Sequence, residues 1–565
     1  MYDVTIEHSV PATMRDGTVL RADIYRPNGD GPWPVLLTRH PYGKDTTMVL
    51  SALEPVRMAR RGFIVVVQDT RGRFASEGKG DWEPWTFEAD DGYDTVRWAA
   101  ALRGSNGSVG MFGMSYLGNT QWMAALAKPP ELKAIAPSFT WSEPHDGLFS
   151  RGGAIELGIT VFWSLLQGLD TVQRRHADDP IAQGKALGAV IHDMDTAADN
   201  GYWELPADRH PAFVRHGIHE LGYERAQRDL DWSSSCRVAG RHEAVELPSL
   251  HRGGWYDIFC QGTLDSFTAM RTAGRPATLV MGPWTHANYS GYVGDVNFGL
   301  AASADLLGFR GKFTDHQAGW FARWLAPGST TMGAASPQPE LPPVLLFVMG
   351  RNEWREEQEW PLARAVDTDL YLRADGRLSF DAPGAEDGSE KYTYLPDDPV
   401  PTTGGAILMT EDFRPGPVDQ ARVEAREDVL VFTSDPMSED VEVTGRVRAF
   451  IHAMTDAPTT DWVVRLCDVD TNGVSWNVVD GIVRATEVAG KFTEQAVDLW
   501  STSYVFRAGH RIRVHVTSSN FPRWDRNFNT AEPAERESDS QVARQEVAHD
   551  AARPSRLVLP IIPAS

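Results

Sequence analysis

The 565-residue sequence predicts an α/β fold, in which a helical insertion interrupts a largely parallel sheet domain and an all-β domain follows. Three observations predict this. Short apolar runs of strand length alternate with helical stretches up to about residue 145. From there to about residue 240, apolar residues recur at helical spacing. Beyond about 350, apolar and polar residues alternate one by one, which is typical of half-buried antiparallel strands.

Residues 1–144 form the first part of the predicted sheet domain. A turn signal at 14–18 predicts a hairpin, and continuous apolar runs follow at 35–37, 63–67, 109–112 and 134–136. Such runs suit strands that are buried on both faces of a parallel sheet. Helical stretches lie between them at 48–61, 90–102 and 116–128, so the order of elements predicts a doubly wound domain.

Residues 145–240 are expected to form a helical cap, because Leu187, Val190, Ile191 and Met194 share one helix face. The sheet domain resumes over 241–350, with strands near 247–250 and 278–281 and a helix near 305–325. A stretch rich in Pro, Ser, Gly and Ala at 326–343 predicts a linker. Residues 351–565 are then expected to form a jelly-roll-like β-sandwich.

The composition excludes several classes of partner. A net charge of −23 argues against binding to nucleic acid or to an anionic membrane, since both need clustered Lys and Arg. No apolar run approaches the roughly 20 residues of a membrane span, and residues 1–8 do not resemble a secretory leader. Three widely spaced cysteines suit a reducing compartment. We therefore expect a cytoplasmic protein. Its oligomeric state is left open, and a homodimer is one possibility.

The motif with the clearest chemical meaning is Gly-Met-Ser-Tyr-Leu-Gly at 113–118. It joins a predicted strand to a predicted helix, which is the context of a nucleophile elbow. The tight turn lifts the hydroxyl of Ser115 above the sheet, and the helix start directs backbone N–H groups at developing negative charge. Leu117 stands where a second Gly is usual, and Gly118 comes one residue later.

A nucleophilic serine needs a base and a group that orients it. Asp257 and His286 each follow a predicted strand, at the sheet edge where such folds place their sites. They come after Ser115 in the order acid then histidine, as in α/β-hydrolases. For the oxyanion, the Tyr116 amide is one candidate donor. No His-Gly-Gly-Gly run follows the strand at 35–38, and the Tyr42 hydroxyl is the candidate for the second.

The chain resembles the X-Pro dipeptidyl-peptidase / cocaine esterase (CocE-NonD) family of serine hydrolases, and within it the cocaine esterase branch. The resemblance is carried by the elbow, by Pro41-Tyr42, by 69–78, and by the segments Gly-Trp-Tyr-Asp at 254–257 and Gly-Pro-Trp-Thr-His at 282–286. It implies an α/β-hydrolase domain with a helical cap and a C-terminal jelly roll. It also implies a triad of Ser115, Asp257 and His286, with Tyr42 and the Tyr116 amide as the oxyanion hole.

The resemblance implies a small-molecule ester as substrate and no cofactor, and we expect no metal. Trp163 resembles an acyl-pocket aromatic, and Phe259 stands two residues past Asp257, so both are candidate substrate contacts. Trp255 and Trp284, beside the acid and the base, are further expected to line an aromatic-friendly pocket.

Relatives in this family that hydrolyse α-amino-acid esters carry acidic residues near the triad Asp to hold a substrate ammonium. Ile258 and Phe259 follow Asp257 here, so the resemblance implies a neutral or aromatic acyl group. Two alternatives remain open. One is an amide or α-amino-acyl hydrolase, such as an acylase or an X-Pro dipeptidyl peptidase, although Tyr42 comes too early for the N-terminal extension of those peptidases. The other is a glycan-binding protein whose hydrolase domain is inactive.

Overall fold

A mixed sheet of ten strands runs through the first part of the chain, counted over the residues that the computed structural model describes. Those residues are 1–46, 50, 53–78, 82–219, 221–328, 340–385, 388–486, 489–531 and 539–563. The strands are β1 (Val4–Thr13), β2 (Val19–Pro27), β3 (Trp33–His40), β4 (Ile64–Asp69), β5 (Ser105–Met114), β6 (Leu132–Ser138), β7 (Ser249–Tyr256), β8 (Ala277–Thr285), β9 (Val344–Val348) and β10 (Glu353–Glu357).

The strand order is β1-β2-β4-β3-β5-β6-β7-β8-β9-β10. Strands from β4 to β9 in this order pair in parallel, whereas β1, β2 and β10 are antiparallel additions at the two edges. The helices that connect the parallel strands are α1 (Pro55–Ala59), α2 (Glu88–Ala100), α3 (Tyr116–Ala127), α9 (Cys260–Thr272) and α10 (Phe313–Leu325). The predicted doubly wound α/β domain is confirmed.

Five helices fill the chain between β6 and β7: α4 (Leu157–Arg175), α5 (Pro180–Asp195), α6 (Pro211–His216), α7 (Tyr223–Arg228) and α8 (Leu230–Ser233), as far as this part is described. Pro180 begins α5, and the side chain of Asp179 accepts hydrogen bonds from the amides of Ile181 and Ala182, which caps the helix. The long helix α4 is buried along most of its length, and its Trp163 contacts Tyr42 of the sheet domain. This segment supplies the cover over the carboxyl ends of β5 to β8.

The C-terminal region is a second, all-β layer structure. In the described residues its strands are β11 (Val366–Arg373), β12 (Arg377–Ser379), β13 (Ser389–Tyr394), β14 (Leu430–Ser434), β15 (Val441–Thr455), β16 (Thr459–Val469), β17 (Ser475–Thr486), β18 (Thr493–Phe506), β19 (Arg511–Thr517), β20 (Ala543–Ala548) and β21 (Arg556–Ile562). They follow the order β13-β20-β15-β21-β11-β12-β14-β19-β16-β17, with β18 paired to β15. One short helix, α11 (Ala421–Glu424), interrupts them.

Local boundaries differ from the sequence-based expectations at two places in the described residues. Strand β10 belongs to the first sheet and lies past the boundary at 350, because Gly350 (φ 82°) turns the chain back into a hairpin. The helix expected from 305 begins only at Phe313, since Leu307, Gly308 and Phe309 have left-handed backbone angles. Residues 47–49, 51, 52 and 329–339 of the expected helix 48–61 and linker 326–343 lie outside the described residues.

Candidate active site

Ser115 occupies the sharp turn between β5 and α3. Its backbone has φ 60° and ψ −124°, a strained conformation for a residue with a side chain, and its amide donates to the Ser138 carbonyl at 2.9 Å. Gly113 has φ 134°, and a Cβ placed there would lie 2.5 Å from the Leu117 Cβ. The turn therefore requires glycine at position 113, as an elbow does.

Gly118 explains why the second glycine of the motif comes one residue late. A Cβ at position 118 would lie 2.7 Å from the Cβ of Thr140. The Thr140 hydroxyl in turn donates to the Ser115 carbonyl at 2.9 Å. The close approach that forces a glycine thus falls on Gly118, and Leu117 is free to carry a side chain.

Asp257 lies one residue beyond the carboxyl end of β7, and His286 lies one residue beyond the carboxyl end of β8. The two side chains meet at this edge of the sheet. The His286 Nδ1 donates to the Asp257 Oδ1 at 2.6 Å. Asp257 has no exposed surface, and its Oδ2 accepts the Phe259 amide at 3.1 Å, which holds the carboxylate in place. The carboxylate therefore fixes the imidazole tautomer that leaves Nε2 available to a nucleophile.

Tyr42 is placed by the loop after β3, and it borders the same cavity as Ser115. The Tyr42 hydroxyl accepts the Trp163 Nε1–H at 3.2 Å. Burial raises the pKa of Tyr42 to about 12, although the Trp163 hydrogen bond and the nearby Ser115 hydroxyl act in the opposite direction. The phenol is therefore protonated at neutral pH and can donate a hydrogen bond.

Tyr116 is the first residue of α3, so its amide has no intrahelical partner and is free to face a ligand. Its side chain points into the protein, where the hydroxyl donates to Glu88 Oε1 at 2.6 Å. Glu88 is also paired with the buried guanidinium of Arg39 at 2.9 Å. This buried pair anchors the start of α3, and no sequence motif indicated it.

These side chains share one cavity of about 780 Å³ under the cap. Ser115, Tyr42, Tyr116 and His286 border it, and so do the predicted contacts Trp163 and Phe259. Asp257 lies behind His286 rather than in the wall. The structure thus brings together the residues predicted for the triad and the oxyanion hole with the predicted substrate contacts Trp163 and Phe259.

Aromatic residues that the sequence did not indicate form much of the cavity wall. Trp85 stacks on the Tyr116 ring at 4.3 Å, and Trp141 packs against Phe259 at 5.1 Å. Leu148 also borders the cavity. Trp85 and Trp141 lie in loops far from the triad motifs, so only the tertiary structure shows their role.

The expectation that Trp255 and Trp284 line this pocket is wrong. Both are buried in the core, where Trp255 Nε1 donates to the Phe347 carbonyl at 2.8 Å and Trp284 Nε1 to the Ala302 carbonyl at 2.9 Å. Each lies inside its strand, whereas Asp257 and His286 lie beyond the strand ends. The side chains of Trp255 and Trp284 point into the core between the sheet and its covering helices, so neither borders the cavity.

Within the described ranges, no three His, Cys, Asp or Glu side chains form a group suited to a metal ion. In the same part of the chain, no helix combines the length and apolar composition needed to cross a membrane. Cys236, Cys260 and Cys467 are buried and unpaired with one another. Burial raises the pKa of each of these thiols.

Two protein-family descriptions match the chain. Residues 16–288 match X-Pro dipeptidyl-peptidase (S15 family), and residues 339–558 match the X-Pro dipeptidyl-peptidase C-terminal non-catalytic domain. Among curated relatives, the cocaine esterase of Rhodococcus sp. (strain MB1 Bresler) is 36% identical over 586 residues, covering 99% of both chains. A putative serine esterase of Mycobacterium bovis is 24% identical over 90% of this chain and 89% of its own.

Solved structures show the same architecture from end to end. An α-amino acid ester hydrolase superposes with a TM-score of 0.79 at 26% identity, covering 99% of this chain and 97% of its own. An aminopeptidase from a marine-sediment Thaumarchaeota archaeon superposes with a TM-score of 0.77 at 24% identity, covering 100% of this chain and 97% of its own. The similarity to the aminopeptidase structure is a similarity of fold alone.

Proposed function

This chain belongs to the X-Pro dipeptidyl-peptidase / CocE-NonD family of serine hydrolases, and we propose that it hydrolyses small esters of neutral or aromatic acids through Ser115, His286 and Asp257. Ester hydrolysis follows from the full-length similarity to an esterase. The assignment of residues is supported by one observation above all: Ser115 on its elbow and His286 border one cavity, and Asp257 holds His286 at 2.6 Å.

In the proposed mechanism, His286 Nε2 takes the proton of the Ser115 hydroxyl, whose oxygen attacks the ester carbonyl carbon. The Tyr42 hydroxyl and the Tyr116 amide donate hydrogen bonds to the resulting oxyanion. His286 then gives its proton to the leaving alkoxide, and an acyl-Ser115 ester remains. Water attacks this ester with His286 again as base, which releases the acid and restores the serine.

The acyl preference is supported by the charges around the cavity. Among the described residues that border it, the carboxylates are Glu54 and Asp305, and Lys312 pairs with both, at 2.9 and 3.1 Å. A substrate ammonium would therefore meet carboxylates that already have a partner. Trp85, Trp141 and Trp163 offer ring faces instead, which suit an aromatic acyl group.

The triad is tested with the variant Ser115→Ala and 4-nitrophenyl benzoate as substrate. We expect kcat to fall by about 10⁶, by analogy with the removal of other triad nucleophiles. A fluorophosphonate probe should label the unmodified protein once, at Ser115, and should not label the variant. The matched control is Ser164→Ala, a buried serine of the cap helix, which should keep both labelling and turnover. Turnover that survives in Ser115→Ala would refute the assignment.

The same experiments address the two alternatives from the sequence. Labelling by the probe distinguishes a working triad from a glycan-binding protein with an inactive hydrolase domain. Comparing the ethyl esters of phenylacetate and of phenylglycine separates a neutral acyl preference from an α-amino-acyl one. We further propose a cytoplasmic location, which the three unpaired cysteines support, and a homodimer, to be measured by light scattering.

A further inference from the structure

One wall of the cavity contains a guanidinium that the proposed mechanism does not use. Arg252 lies in β7, in register with Ser138 of β6, and its carbonyl accepts the Phe139 amide at 2.7 Å. Ser138 is also the residue whose carbonyl accepts the Ser115 amide. Arg252 is therefore two strands from the nucleophile, a separation of roughly 10 Å between backbones, which a long side chain can bridge.

The positive charge of Arg252 rests on aromatic rings rather than on a carboxylate. Its guanidinium carbon lies 4.4 Å from the Phe313 ring centroid and 5.0 Å from those of Phe139 and Tyr289. Its Nε is buried without a hydrogen-bond partner, and among the described residues no acidic group pairs with it. Burial lowers the pKa of Arg252, as expected for a charge removed from water.

The lack of a carboxylate partner distinguishes Arg252 from the buried arginines Arg39 and Arg523. The buried Arg39 is paired with Glu88, and the buried Arg523 with Asp480 at 2.6 Å. Arg252 is half-buried, and its buried Nε has no partner, which costs free energy. The other cation that borders the cavity among the described residues, Lys312, is already held by Glu54 and Asp305. Within that part of the chain, Arg252 is thus the cation at this cavity that can receive an anionic ligand group without displacing a partner.

The surroundings of Arg252 place it on the His286 side of the cavity. Tyr289, one of the rings under the guanidinium, donates its hydroxyl to the His286 carbonyl at 2.7 Å. Phe139, another of them, lies 6.4 Å from the His286 ring. Trp163, by contrast, contacts Tyr42 at the oxyanion position. Because His286 must protonate the leaving oxygen, the alcohol part of the ester occupies the His286 side.

We infer that Arg252 binds a carboxylate on the alcohol part of the substrate, so that the preferred substrates are acyl esters of hydroxycarboxylic acids. This inference rests on the proposed esterase function. A guanidinium matches a carboxylate through two parallel hydrogen bonds, and the low polarity of the ring-lined wall strengthens that pairing. The arrangement leaves the acyl group free to occupy the tryptophan-lined part of the cavity.

The test compares ω-benzoyloxyalkanoates of increasing chain length with their neutral primary amides, following benzoate release. We expect the unmodified enzyme to prefer the acid over the amide, in kcat/KM, by at least tenfold at one chain length. Arg252→Met should reduce that preference to about unity, because it removes one partner of a desolvated charge pair. Arg252→Lys should keep part of it. The control Arg97→Met removes a cation that pairs with Glu131 outside this cavity, and it should keep the preference of the unmodified enzyme.

Several results would overturn the inference. These are a preference for the amide at every chain length, an equal loss in Arg252→Met and Arg97→Met, or an Arg252 dependence that appears only when the carboxylate is on the acyl part, as in methyl 4-carboxybenzoate. If Arg252→Met does not fold, the inference is tested by inhibition of the unmodified enzyme. The free hydroxy acid should then inhibit phenyl benzoate hydrolysis more strongly than its amide does, and equal inhibition would contradict the inference. Hydrolysis of phenyl benzoate itself tests the proposed esterase function. A failure of that function is therefore distinguishable from a failure of the inference about Arg252.

Discussion

The hydroxyl of Tyr42 gives the sharpest test of the oxyanion hole, because Tyr42→Phe removes a single oxygen atom. That oxygen accepts the Trp163 Nε1–H at 3.2 Å, and Tyr42 borders the same cavity as Ser115. With Trp163 as donor, the phenolic proton remains available to an oxyanion formed at Ser115. Loss of one such donor costs about 2.7–4 kcal/mol of transition-state stabilisation.

We therefore expect Tyr42→Phe to lower kcat for 4-nitrophenyl benzoate by about 10² to 10³, with little change in KM, since the bond strengthens only as charge develops. Trp163→Phe is the matched control, because it removes the N–H on the other side of the same oxygen and keeps the phenol. It should cost less than about tenfold. A kcat for Tyr42→Phe within threefold of the unmodified enzyme, at an unchanged Tm, would refute the role of this hydroxyl.

The pH profile provides an independent check on the same group. An exposed tyrosine ionises near pH 10, whereas burial raises the pKa of Tyr42 to about 12. A donor with this pKa stays protonated as the pH passes through about 10, so kcat should not fall there on its account. A loss of kcat centred at about pH 10 in the unmodified enzyme, absent from Tyr42→Phe, would contradict the assignment.

Two further predictions concern the groups that hold the nucleophile and the base. Asp257→Asn should lower kcat by about 10⁴ with little change in stability, because the amide favours the wrong His286 tautomer; a loss under tenfold would contradict the triad. Gly113→Ala should destabilise the fold by roughly 1–3 kcal/mol in urea unfolding, since its Cβ would lie 2.5 Å from that of Leu117 at φ 134°. The control Gly188→Ala, in helix α5 with open space around it, should not destabilise, and equal effects at both positions would contradict the steric explanation.

The positions of the chemical groups could be predicted from sequence because they lie at strand ends. Ser115, Asp257 and His286 each follow an apolar run of strand length, and parallel strands bring their carboxyl ends to one edge. The fold class could be predicted for the same reason, from the alternation of those runs with helical stretches. Both depend on local patterns that tertiary packing does not override.

The cavity wall could not be predicted in this way. Trp85 and Trp141 reach the site from loops, and Arg252 reaches it from within a strand, where it is the one half-buried position. Trp255 and Trp284 were expected in the wall because they neighbour the triad in sequence, yet the sheet core holds them. Which face a side chain occupies depends on the strand end and on the helices that cover it, and neither is fixed by proximity along the chain.

The C-terminal domain contributes to the site by supporting the segment that carries Asp257. Directly before it, the Tyr256 hydroxyl donates to the Asn477 carbonyl of β17 at 3.2 Å. Four residues after it, Gln261 accepts the Ser501 hydroxyl of β18 at 2.9 Å. All of these groups are buried, so loss of the second domain would remove one hydrogen bond on each side of the carboxylate. The β-domain therefore takes part in holding the carboxylate that orients His286, although none of its strands supplies a reacting group.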